Sequence, residues 1–94
     1  MRDWKNDYTI SKEIDTGIFA SQCREFERVA VLIEEITDVD GSVIRTYRFD
    51  SGLASVYLDI EVGAIYVKSE IPIDKQILQP FAWHKLSSNN VGEQ

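Results

Sequence analysis

The stretch "DGSVIRTYRFDSGLASVYLDIEVGAIYV", residues 40–67, decides how this chain folds. Gly41, Gly52 and Gly63 recur in it at an even eleven-residue spacing. β-Branched and aromatic residues fill the intervals, which is the pattern of antiparallel strands joined by turns at the glycines. Facing tests the pattern. A two-residue turn at Ser51-Gly52 sets Phe49 opposite Ala54, Tyr47 opposite Val56, Arg45 opposite Leu58 and Val43 opposite Ile60. A two-residue turn at Val62-Gly63 sets Ile60 opposite Ile65, Leu58 opposite Val67, Val56 opposite Ser69 and Ala54 opposite Ile71. Both turns select the same face of the shared strand, and a one-residue slip would send either set to the other side.

Working outward, Asp38-Val39-Asp40-Gly41 reads either as the start of a metal loop or as a turn. A calcium loop needs ligands at several alternate positions and a distal glutamate. Here the distal position falls near Phe49, which cannot coordinate, so the aspartates read as turn formers. A three-residue loop, Val39-Asp40-Gly41, with Gly41 in the left-handed conformation, sets Thr37 opposite Val43. Glu35 then faces Arg45, Ile33 faces Tyr47 and Val31 faces Phe49. The register gives Arg45, the one charge on an apolar face, an acidic neighbour.

The expectation is an α+β domain. Four antiparallel strands form a meander at about 29–37, 42–50, 53–61 and 64–70. One face carries Val31, Ile33, Val43, Tyr47, Phe49, Val56, Leu58, Ile60, Ile65 and Val67, and it must be covered. Upstream, Ile18, Phe19, Cys23, Phe26 and Ala30 recur every three or four residues, the stripe of a short helix at about 17–27 capped by Asp15 or Thr16. Downstream, "IPIDKQILQPFAWHKL" supplies Ile73, Ile77, Leu78, Phe81, Trp83 and Leu86. Pro72 and Pro80 forbid a long helix there, so an irregular wrap with one helical turn after Asp74 is expected. "DYTISKEI", residues 7–14, alternates weakly and reads as a candidate edge strand. The alternative is an all-β chain with 18–37 largely strand. The whole of 1–94 reads as one domain, with frayed ends at 1–6 and 87–94.

Bulk composition excludes several function classes. With 16 acidic against 10 basic residues the net charge is -6. That argues against direct binding to a nucleic-acid backbone and against an anionic membrane surface. The N-terminal "MRDWKNDYTI" lacks the apolar core of a signal peptide, and no apolar run is long enough to span a bilayer. One cysteine cannot form an internal disulfide. The expected location is cytoplasmic.

Chemistry-bearing residues are sparse. His84 is the only histidine, and no motif supplies it with metal co-ligands or with a nucleophile. Cys23 lies on the apolar stripe and reads as a small core residue, although Arg24 and Arg28 lie close enough in sequence to activate a thiol. Glu34 and Glu35 point to opposite faces of a strand and form no dyad. No catalytic residue, metal or cofactor is assigned.

The second sheet face is the remaining constellation: Leu32, Glu34, Ile36, Ile44, Thr46, Arg48, Ser55, Tyr57, Asp59, Tyr66, Lys68 and Glu70. The registers pair Thr46 with Tyr57, Tyr57 with Lys68, and Asp59 with Tyr66. Tyrosine and arginine on a mixed apolar surface are enriched at protein interfaces. The expected partner-binding residues are Tyr57, Tyr66, Arg48, Lys68, Asp59 and Ile44. The leading expectation is a small acidic binding protein, not an enzyme, that occludes a protein partner as an immunity protein, antitoxin or phage inhibitor does. A self-associating accessory subunit, such as a homodimer, is the alternative. A small-molecule binder or enzyme is the third.

Overall fold

The computed structural model describes residues 4–78. Within them lie five strands and one α-helix: β1 (Asn6–Ser11), α1 (Thr16–Glu27), β2 (Val31–Thr37), β3 (Val43–Phe49), β4 (Gly52–Asp59) and β5 (Ala64–Ser69). A single 3-10 turn, Lys75–Ile77, follows. All five strands form one antiparallel sheet in the order β1-β5-β4-β3-β2. The class is α+β, and the all-β alternative for 18–37 does not hold.

The meander of four strands gains a fifth. β1 pairs with β5, so the first strand lies beside the last. Asn6 already belongs to β1, and the amide of Lys5 donates to the carbonyl of Ser69 at 3.1 Å. Part of the segment expected to fray, Lys5 and Asn6, is therefore tied to the sheet. Residues 79–94, which include Phe81, Trp83, His84 and Leu86, lie outside the described residues.

Placing β1 and β2 at opposite edges sets the task of α1. The helix has 12 residues, a length of about 18 Å at 1.5 Å per residue. Four gaps between five strands span about 19 Å. One short helix therefore carries the chain from one edge of the sheet to the other while covering a face. Its N-terminus is fixed by Asp15, whose carboxylate accepts from the amides of Gly17 (2.9 Å) and Ile18 (3.2 Å), a cap worth about 1 kcal/mol.

The core lies between α1 and that face. Phe19, Cys23 and Phe26 from the helix meet Tyr47, Ala54, Val56, Leu58, Ile65 and Val67 from the strands. Phe26 is fully buried, edge-on to Tyr47 (ring centroids 5.6 Å apart) and to Phe49 (5.1 Å). The helix also buries Gln22, which the apolar stripe did not include. Its amide donates to the carbonyl of Ile77 at 2.8 Å, holding the 3-10 turn against the helix. Ile73 and Leu78 join the core beside that turn.

The faces of β3, β4 and β5 agree with expectation, while the bulge in β2 exchanges those of Val31 and Leu32; two of the registers differ. Tyr47 faces Ala54, not Val56, and Val43 faces Leu58, not Ile60. Leu58 faces Ile65, not Val67, and Val56 faces Val67, not Ser69. Each pairing is displaced by two residues, which preserves the face of every side chain. The β3–β4 turn uses Asp50-Ser51, and Gly52 is the first residue of β4. A β-carbon on Gly52 would sit 2.8 Å from Cγ2 of Ile71. This glycine admits the chain leaving β5; it does not make the turn.

The first hairpin keeps its expected register near the turn. Thr37 faces Val43 and Glu35 faces Arg45, with the Arg45 Nε donating to Glu35 at 3.0 Å. The Asp38 amide donates to Ser42 O at 2.8 Å, and Gly41 has φ +94°. Further along, a bulge at Ile33 breaks the ladder, so Leu32 faces Tyr47 and Val31 faces Arg48. The expected core places of Val31, Ile33 and Ile60 are not realised. They are 55%, 41% and 39% exposed: the bulge turns Val31 to the face of Arg48 and takes Ile33 out of the ladder, and Ile60 lies beyond the end of β4.

Candidate functional site

The sheet face opposite α1 is where the expected contact residues gather. Strand pairing arranges it in cross-strand rows. One row runs Thr9, Tyr66, Tyr57, Ile44, Ile36 from β1 to β2. The neighbouring row runs Asp7, Lys68, Ser55, Thr46, Glu34. The first row is aromatic and apolar through its centre. The second has charges at its ends and hydroxyls in the middle.

The corrected register changes who meets whom. Tyr57 faces Tyr66, not Lys68, and Thr46 faces Ser55, not Tyr57. The two tyrosine rings stack, with centroids 4.8 Å apart and planes 13° from parallel. Aromatic pairs of this kind are worth about 0.5–1.5 kcal/mol beyond the area they bury. Asp59 faces Ala64 across the ladder, yet its carboxylate still accepts from the Tyr66 hydroxyl at 2.6 Å. That bond, with a second from the Val62 amide, lowers the Asp59 pKa below the usual carboxylate value. Burial and the same aspartate raise the Tyr66 hydroxyl above its ordinary value. Tyr66 is therefore a protonated donor held in one orientation.

Lys68 lies over this pair, its ammonium 5.8 Å from the Tyr66 ring centroid and 3.5 Å from the Asp7 carboxylate. Ile44 is half-buried between Tyr57 and Ile36 in the row. Five of the six expected contact residues thus form one continuous patch. Arg48 is the exception. It is exposed and faces Leu53 and Val31, and it lines a different hollow of ≈ 540 Å³ with Glu27, Val31, Phe49 and Asp50.

Trp4 is the residue that sequence reasoning missed, because it falls in the segment expected to fray. It borders an open hollow of ≈ 390 Å³ with Glu34, Ile36, Ile44, Thr46, Ser55 and Tyr57. Thr46 and Ser55 are buried at its floor, with their side-chain oxygens 2.6 Å apart. A tryptophan in a polar terminal segment was the available signal, since so large an apolar ring rarely stays in water.

Under α1, the Cys23 thiol interacts with Tyr47 and Arg45. Arg24 donates to Ser21 and Arg28 to Glu25. Burial raises the thiol pKa in spite of Arg45, which leaves little thiolate at neutral pH. The Tyr47 hydroxyl donates to Glu27 at 2.7 Å, and burial followed by that acidic partner raises its pKa.

Among the described residues no group of three or more His, Cys, Asp and Glu is placed to hold a metal ion, and no helix is long and apolar enough to cross a membrane. His84 lies outside the described residues. Compared with known proteins, the chain matches no protein family, no curated protein and no solved structure.

Proposed function

We propose that this chain is a small acidic protein-binding domain that acts by occluding a protein partner, with a binding role and not a catalytic one. One observation carries the reading. The row Ile36, Ile44, Tyr57, Tyr66 lies on a sheet face that no helix or strand of the described residues covers. A stacked tyrosine pair, with the Tyr66 hydroxyl held by Asp59, presents large amphipathic area with little side-chain freedom left to lose on binding. Lys68 and Asp59 at their margin supply charges that orient a partner. The net charge of -6 favours basic partners and steers their approach.

The test is a paired substitution. Tyr57→Ala with Tyr66→Ala should weaken the complex with a partner isolated from the source cells by at least about tenfold. The melting temperature should fall only modestly, because neither ring belongs to the hydrophobic core. Unchanged affinity would remove this surface from the contact. Self-association is a second reading, favoured by the exposed Val31, Leu32, Ile33 and Ile36 of β2. Light scattering on the isolated chain distinguishes the two.

A further inference from the structure

Among the described residues β2 ends the sheet, with no strand on its outer side. The Asp38 amide donates inward to Ser42. Hydrogen-bonded and non-bonded pairs alternate along an antiparallel ladder, so the amides of Ile36 and Glu34 also face β3. Those of Glu35 and Thr37 face outward. Outward-facing backbone groups of this kind are a template for another strand. Every residue of β2 is exposed, and Val31, Leu32, Ile33 and Ile36 are apolar.

Charge says what fits. Residues 29–44 contain Glu34, Glu35, Asp38 and Asp40 and no lysine or arginine. The adjacent Arg45 is already engaged by Glu35. A second copy of this chain is a poor occupant, since β2 paired with itself would crowd Glu34 and Glu35 of both copies on chains that each carry -6. The bulge at Ile33 works in the same direction, against self-pairing. A basic strand meets neither obstacle near Glu34–Thr37, where the ladder is regular.

We propose that β2 accepts an extended, lysine- or arginine-bearing segment of a protein partner as an added strand. The proposal rests on the protein-binding reading above and specifies how the partner docks. Backbone bonds to Glu35 and Thr37 set its register. Its cations meet Asp38 and Asp40, and its apolar side chains reach the side of the hollow formed by Ile36 and Ile44.

The experiment uses the whole chain and three capped synthetic peptides. One is the lysine peptide KVKVTVK, one the glutamate peptide EVEVTVE, and one the lysine peptide with alternate amides N-methylated. Amide exchange is followed by NMR. The lysine peptide should protect the Glu35 and Thr37 amides about tenfold, fading as salt is added, and the other two should not. Thr37→Pro, which removes one outward donor, and Ile33→Lys, which places a cation on the edge, should each abolish the protection. No protection by the lysine peptide, or equal protection by either control, overturns the proposal. A natural partner that is lost with Tyr57→Ala and Tyr66→Ala but bound normally by Thr37→Pro also overturns it, and leaves the protein-binding reading intact. A partner lost with Thr37→Pro but indifferent to both tyrosines supports the edge and removes the tyrosine face.

Discussion

The two edges of the sheet are held in place by different means. β1 is anchored by its side chains. Ile10 and Ser11 are buried, and the Tyr8 hydroxyl accepts from the Ile73 amide at 3.0 Å. β2 has no buried residue. It is held by its ladder to β3, by the turn at Gly41 and by the Glu35–Arg45 pair. One edge is part of the core, and the other is attached to it. A domain of this size has little stability to spare, so an edge that contributes nothing to the core leaves its side chains free to vary for another purpose.

The comparison breaks most decisively under truncation. Ile10→Ala should cost about 2–5 kcal/mol, because it empties a packed site. Ile33→Ala removes comparable atoms from the other edge and should change stability by no more than about 0.5 kcal/mol. Denaturant midpoints measured side by side decide it, and equal losses would mean that β2 is a core strand. Tyr8→Phe should cost about 1 kcal/mol by leaving the Ile73 amide without its acceptor. The loss should be visible as faster exchange of that amide. Glu35→Gln should cost least, about 0.2–1 kcal/mol for a half-exposed ion pair, and the cost should shrink at high salt.

How much of this was legible in the sequence follows from what each signal constrains. Hydrophobic alternation constrains which face a residue occupies, so Tyr47, Val56, Leu58, Ile65 and Val67 all reached the core as expected. It does not distinguish registers that differ by two, since both keep the same faces. Only the turns distinguish them, and Gly52 misled because its reason is a distant contact with Ile71. Gly41 led correctly because its reason is local. The Glu35–Arg45 pair was found through charge, which specifies partners where alternation specifies only sides. The partner of β1 is β5, nearly sixty residues away, and no local pattern names it. The candidate face was legible as a set, while its contacts were not. Tyr57 stacking on Tyr66 and the placement of Trp4 both depend on the corrected register and on that long-range pairing.

The hydroxyl pair at the floor of the Trp4 hollow has a consequence of its own. Thr46 and Ser55 lie 2.6 Å apart, and either oxygen can be the donor. Two hydroxyls have two hydrogens, and the bond between them takes one. Reversing the bond exchanges the roles: when Thr46 gives its hydrogen to Ser55, the hydrogen of Ser55 is turned elsewhere, and the converse holds. Both residues are buried, so each hydroxyl is satisfied by the other without water. Removing either one would leave its partner a buried polar group in need of a new bond.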